Sequence, residues 1–275
     1  MRRLFATKAE VMLAARSVSP LVIVAVLAAD LAWTLLVWAW IFPTGAPANI
    51  AQTTHGVITF TLATSAPAVA ITFAIACGLG RLRLRDLGLS RRGVVVGALA
   101  TLGAWALAQL VIVIRAVVAG DPLIHSPFEL GQLLGQILGN ALDEEVVWRG
   151  FLCVQLVLVA RRFTRPRTAW VVGLGVAAIL FSLSHLPNRW VKEDEHGGLL
   201  VADLAWLVLS GLMFTFMYIR TGHLEVAIGF HALWNVPLPV IAAPLVDHGA
   251  IFAVTVVLLI VWPYAEVRVR GHIHL

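Results

Sequence analysis

Three acids and an arginine fall within seven residues of an otherwise apolar stretch, Asp143-Glu144-Glu145-Val146-Val147-Trp148-Arg149. An ionisable side chain deep in lipid is costly unless it faces a partner or a water-filled cavity, so this cluster is where chemistry is expected. On a helix, Glu145 and Arg149 share a face at i, i+4 with the acid before the base, the favoured order for an ion pair. Glu144 is turned about 100° away from Glu145. One carboxylate can thus be held ionised by the arginine while its neighbour points into a cavity, placed to take a proton from water as a general base.

Two further loci supply complementary groups. Phe181-Ser182-Leu183-Ser184-His185 puts Phe181 and His185 on one helical face, although a lone histidine near a helix end is usually interfacial. His231 and Asn235 also stand at i, i+4, where imidazole and carboxamide can both donate to one developing oxyanion, or equally serve as interhelical glue. Together these are a carboxylate base, an imidazole able to share its water and two donors for a tetrahedral intermediate, which is a hydrolase set. The chain has no HExxH helix, no GxSxG elbow and no paired intramembrane aspartates of the presenilin kind. Asp30 and Asp203 sit singly in their spans, and Asp203 is the candidate polar neighbour of the site. Two other classes would use such a network: a membrane scaffold or immunity protein that cuts nothing, and a proton-coupled transporter. The second is disfavoured because a relay needs no His/Asn pair and no inverted repeat is visible.

The elements that must position these groups are membrane helices. Apolar residues make up 60% of the 275 positions and charged ones 13%, with a mean hydropathy of +0.91. Apolar runs long enough to cross the hydrocarbon layer span residues 20–42, 57–80, 94–118, 131–160, 169–186, 199–219, 224–243 and 250–264. Backbone exposed to lipid must be helical or form a closed barrel, so the expectation is an all-α polytopic bundle of about eight transmembrane helices. It forms a single membrane domain over residues 1–275, with the chemistry in 119–243. Gly131, Gly135 and Gly139 recur at four-residue spacing, a signal for close helix packing. Cys77 and Cys153, inside apolar runs without CxxC spacing, read as buried small hydrophobes.

Basic residues cluster in alternate loops: the N-terminal Arg2, Arg3, Lys8 and Arg16, then Arg81/Arg83/Arg85/Arg91/Arg92, Arg161/Arg162/Arg165/Arg167, Arg220 and Arg268/Arg270. This pattern predicts both termini on the cytoplasmic side of the cell membrane and gives the net charge of +5 no connection to nucleic acid. The opposite loops carry Asp121, Glu129 and Asp247, and Arg189 and Lys192 balanced by Glu193, Asp194 and Glu195. The first run is too long for a signal peptide and lacks a small-residue cleavage site, so it reads as a retained span. At about 1.5 Å rise per residue, this orientation puts Glu144 and His185 toward the non-cytoplasmic half and His231 nearer the cytoplasmic end of its run. They meet only if helices tilt or the span boundaries shift.

At these residues the chain resembles the CAAX protease and bacteriocin-processing (Abi) family of intramembrane proteases, whose pattern is EExxxR, FxxxH and HxxxN or HxxxD. Here it reads Glu144-Glu145-x-x-x-Arg149-Gly150-Phe151, Phe181-x-x-x-His185 and His231-x-x-x-Asn235, in order, in the C-terminal half. The first three runs match only in being hydrophobic. The resemblance implies an endopeptidase acting on a membrane-presented peptide or protein. Glu144 would activate water, His185 help to bind it, and His231 and Asn235 form the oxyanion hole, with Glu145 and Arg149 in support. It also leaves open a Zn²⁺ held by Glu144, His185 and His231 with a position for water. A metal-free glutamate mechanism without a cofactor is the preferred reading, since Asn is a poor zinc ligand.

Overall fold

The computed structural model describes residues 12, 15–122, 124–125, 130–238, 241–242 and 248–273. Arg2, Arg3, Lys8, Glu129, Asp247 and the end of the seventh expected run lie outside the described residues. The chain is a bundle of helices: α1 (Pro20–Thr44), α2 (Ala46–Thr53), α3 (Phe60–Leu79), α4 (Arg91–Ala119), α5 (residues 130–160), α6 (Pro166–Ser184), α7 (Leu186–Val191), α8 (Gly197–Thr221), α9 (Leu224–Asn235) and α10 (His248–Ile273). A two-residue antiparallel bridge joins Ile124–His125 to Ile241–Ala242.

Among the described residues, α1, α3, α4, α6 and α8 are long and apolar enough to cross a membrane, and α10 has a shorter apolar stretch, Gly249–Trp262. Leu21, Leu99, Val118, Val171 and Leu199 stand exposed on their outer faces. A soluble protein would leave no such continuous apolar exterior, so the all-α membrane bundle holds, as a multi-pass protein. Among the described residues five helices have the length and hydropathy of a span, against the expected count of about eight. The fourth run, α5, is helical apart from Gly139, and every residue from Glu145 to Cys153 is buried, Glu145 and Arg149 among them.

The seventh run is where the expectation fails. Helix α9 is only twelve residues long and stops at Asn235, and Val236 turns to extended backbone at φ −136°, ψ 92°. The cause is Pro237: a residue before proline is pushed out of the α region, and the proline ring has no N–H to continue the ladder. The start of α9 also lies inside the protein. Gly150 of α5 packs on Leu224 and on the Leu87 carbonyl so tightly that a Cβ there would stand 3.0 and 2.4 Å from them. Gly150 is ten residues in from the end of α5, about 15 Å at 1.5 Å per residue. The depth mismatch between His231 and Glu144 disappears for this reason, because α9 begins deep and runs antiparallel to α5.

Glycines set how closely these helices approach. Gly131, Gly135 and Gly139 face α3 and its approach, where added Cβ atoms would meet the Gly56 carbonyl, the Thr59 hydroxyl and the Leu62 backbone. The packing role expected of this stripe is therefore seen. Gly93 and Gly97 of α4 do the same for α9, lying against Glu225, while Gly229 of α9 lies against Thr101. Glu225 accepts a hydrogen bond from the Ser90 backbone N–H at 2.6 Å, just ahead of the first turn of α4.

One pair of substitutions tests this packing. A Cβ on Gly97 would fall 2.8 Å from the Glu225 backbone, whereas one on Gly103 meets nothing within 4 Å. Gly97→Ala should lower unfolding stability in detergent by about 1–3 kcal/mol through overpacking. Gly103→Ala should leave stability unchanged or raise it by up to about 1 kcal/mol through helix propensity.

Candidate active site

Helix α5 reaches the site in a distorted form. Residues Gln136–Asn140 and Glu145–Cys153 form wide π-helical turns, and Gly139 leaves helical geometry at φ −125°, ψ −109°. Such turns re-aim side chains within a helix and recur at functional sites. The result is a polar stripe at four-residue spacing, Gln136, Asn140 and Glu144, of which Asn140 and Glu144 line the wall of a cavity of about 540 Å³. Tryptophans from α1, α5, α8 and α9 and the rim residues Arg189, Lys192 and Asp203 share that wall.

Glu144 is the centre of the arrangement. One carboxylate oxygen accepts from the Asn140 amide at 2.9 Å and stands 3.8 Å from His185 Nε2; the other stands 3.6 Å from His231 Nε2. Both rings are fixed by their other nitrogen. His185 Nδ1 donates to the Phe181 carbonyl at 2.8 Å, and His231 Nδ1 donates to Glu145 Oε1 at 2.7 Å. A carbonyl and a carboxylate can only accept, so each Nδ1 carries the hydrogen and each Nε2 is turned toward Glu144. Gaps of 3.6 and 3.8 Å exceed a direct hydrogen bond and suit a bridging water.

Beneath this sits the buried support. Glu145 is 0% and Arg149 1% exposed, and they pair at 3.1 Å across one turn as their spacing predicts. The guanidinium lies over the Phe181 ring at 4.3 Å and faces Phe214 at 5.6 Å. Phe181 meets His185 edge-on at 4.7 Å, and Phe214 stacks on His231 at 4.6 Å with 15° between planes. Gly211 of α8 makes room, since a Cβ there would stand 3.1 Å from Phe181.

Of the six residues expected from sequence, five converge here: Glu144, Glu145, Arg149, His185 and His231. Asn235 lines the same cavity one turn beyond His231, but its amide donates to Gln136 Oε1 at 2.9 Å. Asp203 is a neighbour through Arg189, whose Nε lies 2.6 Å away at the rim. Asp30, set aside as a single acid in the first run, lines this cavity with Asp143. Asn140, Gln136 and Phe214 were missed. The first two are legible in retrospect from their i, i+4 register with Glu144; nothing in the sequence marks Phe214 out from other aromatic residues. Among the described residues no cluster of three or more His, Cys, Asp or Glu side chains stands out as a metal site.

Removing Arg149 tests the support apart from the chemistry. Arg149→Met strands the Glu145 carboxylate in the core and should cost about 3–5 kcal/mol in detergent unfolding. Glu144→Gln, beside the cavity, should unfold close to wild type.

No curated protein and no solved structure matches the chain. Residues 126–237, which hold all three motifs, match the family model of the Rce1-like type II CAAX prenyl endopeptidases; the resemblance carried by those motifs is thereby shown over this segment, and it supports an intramembrane protease of the CAAX type.

Proposed function

We propose that the protein hydrolyses a peptide bond of a membrane-presented peptide or protein, with Glu144 as the base that activates water. The observation that carries this reading is the approach of two imidazole Nε2 atoms, one to each oxygen of the Glu144 carboxylate, inside a cavity. A water held between Glu144 and His185 Nε2 gives its proton to Glu144 as its oxygen attacks the scissile carbonyl carbon. The carbonyl oxygen takes up negative charge as the carbon becomes tetrahedral. Glu144 then returns the proton to the departing amide nitrogen as the C–N bond breaks.

His231 and Asn235 face the developing oxyanion in this reading. With Nδ1 committed to Glu145, His231 donates from Nε2 when the ring is protonated, and the Glu145 carboxylate beside it balances that charge. Asn235 has two amide hydrogens, of which one is committed to Gln136, leaving the second for substrate. Arg149 pairs with Glu145, so its effect on the oxyanion hole passes through His231. The proposed setting is the cell membrane with both termini cytoplasmic, supported by arginine-rich loops gathered at one end of the bundle.

The test is cleavage of a membrane-embedded peptide reporter by purified protein in lipid. Glu144→Gln and His185→Ala should each lower turnover by about 10²–10⁴-fold, with unfolding midpoints close to wild type. Wild-type turnover in the Glu144→Gln protein would overturn the assignment. A second substitution separates positioning from folding. Asn140→Ala removes the hydrogen bond that orients Glu144, so kcat should fall roughly ten- to hundredfold while KM and the unfolding midpoint hold. An unchanged kcat would remove Asn140 from the mechanism.

A further inference from the structure

Three chain segments far apart in sequence meet at one end of the bundle. Arg16 Nη1 donates to the Arg81 carbonyl at 3.1 Å, Arg162 Nη2 donates to the Ser17 hydroxyl at 3.3 Å, and Arg16 Nε stands 3.8 Å from Asp86. The segment is fastened from below by the buried Gln155 of α5, whose side chain accepts from the Val18 N–H at 3.0 Å and donates to the Arg16 carbonyl at 2.9 Å. The loops before α1, between α3 and α4, and between α5 and α6 thus form one fixed surface.

Among the described residues, ten arginines populate that surface and the helix turns beside it: Arg16, Arg81, Arg83, Arg85, Arg91, Arg92, Arg161, Arg162, Arg165 and Arg167, all exposed. Asp86, the acid paired with Arg16, is 7% exposed, so it offsets little of this charge toward the outside. Arg91, Arg92 and Arg167 lie in the first turns of α4 and α6, where a cation opposes the helix dipole. Helix stability therefore does not account for their placement. Among the guanidinium groups stand large apolar side chains pointing outward, Phe163 at 81% and Leu84 at 55% exposed. These residues flank the ends of α1, α3, α4 and α6, helices long and apolar enough to cross a membrane.

We propose that this end of the bundle binds the phosphate headgroups of anionic phospholipids, with Phe163 and Leu84 seated among the upper acyl chains. Guanidinium groups take phosphate oxygens two at a time, and clustered basic groups between membrane helices favour anionic lipid over zwitterionic lipid. Loop orientation alone requires only positive charge; the fixed geometry and the exposed apolar pair match a lipid molecule.

The test uses the full chain in neutral detergent, titrated with short-chain phosphatidylglycerol or phosphatidylcholine, bound lipid being counted by native mass spectrometry. Wild type should retain phosphatidylglycerol in preference to phosphatidylcholine. The triple variant Arg81→Gln/Arg161→Gln/Arg165→Gln should lose that preference by about fivefold in affinity per arginine. Inorganic phosphate at equal concentration should leave lipid retention unchanged. Equal retention of the two lipids, undiminished retention by the variant, or displacement by inorganic phosphate would each overturn the proposal, the last assigning the surface to a free anion. If the variant does not fold, wild type decides the matter: phosphatidylglycerol retention must weaken as salt rises while phosphatidylcholine retention holds, and salt-independent retention is the overturning result.

Discussion

A single buried carboxylate organises the interior. Glu145 accepts from His231 of α9 at 2.7 Å and pairs with Arg149 of its own helix at 3.1 Å, with no exposure to solvent. Taking either charge alone into an apolar core is prohibitive, so each partner is a condition for the other. Arg149 then rests on two aromatic rings, and those rings touch the two histidines: Phe181 of α6 beside His185, and Phe214 of α8 on His231. Four helices are thereby registered through one anion. Glu144 is left beside the cavity because its neighbour has taken the structural role.

This division explains why two adjacent glutamates are not redundant. On a helix, neighbouring positions point in different directions, so one acid can be locked in the core while the next remains adjustable. The low dielectric that makes Glu145 costly without Arg149 also strengthens the field that the pair exerts on His231. Rigidity in the hidden layer is what allows the exposed layer to hold fixed nitrogens around a carboxylate without any direct bond to it.

Much of the site was legible in the sequence because charge in an apolar run has few innocent uses. The Glu145–Arg149 pair followed from spacing alone, and the three motifs fell on helices that do converge. The span count was less legible. Hydropathy cannot separate a helix facing lipid from one buried among other helices, so α5 read as one span among eight. Helix α9 was overextended because apolar residues continue past Asn235, and the Val236-Pro237 step, which ends the helix, was given too little weight against them. Asp30 was discounted because a single acid shows its company only in three dimensions. Asn140 and Gln136 were overlooked because uncharged amides do not stand out until they are set on the same face as Glu144.

The clamp made by Gln155 has a consequence for assembly. It joins Gln155 to the backbone of Arg16 and Val18, positions 139 and 137 residues earlier, and Glu225 meets Ser90 across a separation of 135. At synthesis rates of roughly 5–20 residues per second, the first helix emerges some 7–30 s before its anchor exists. During that interval α1 can be held only by lipid and by contacts with α3, such as the Trp33 indole bonded to the Thr64 carbonyl at 2.8 Å. The first helix is therefore anchored only after α5 has been made, and the wall that α1 contributes to the cavity is completed no earlier than the helix carrying Glu144.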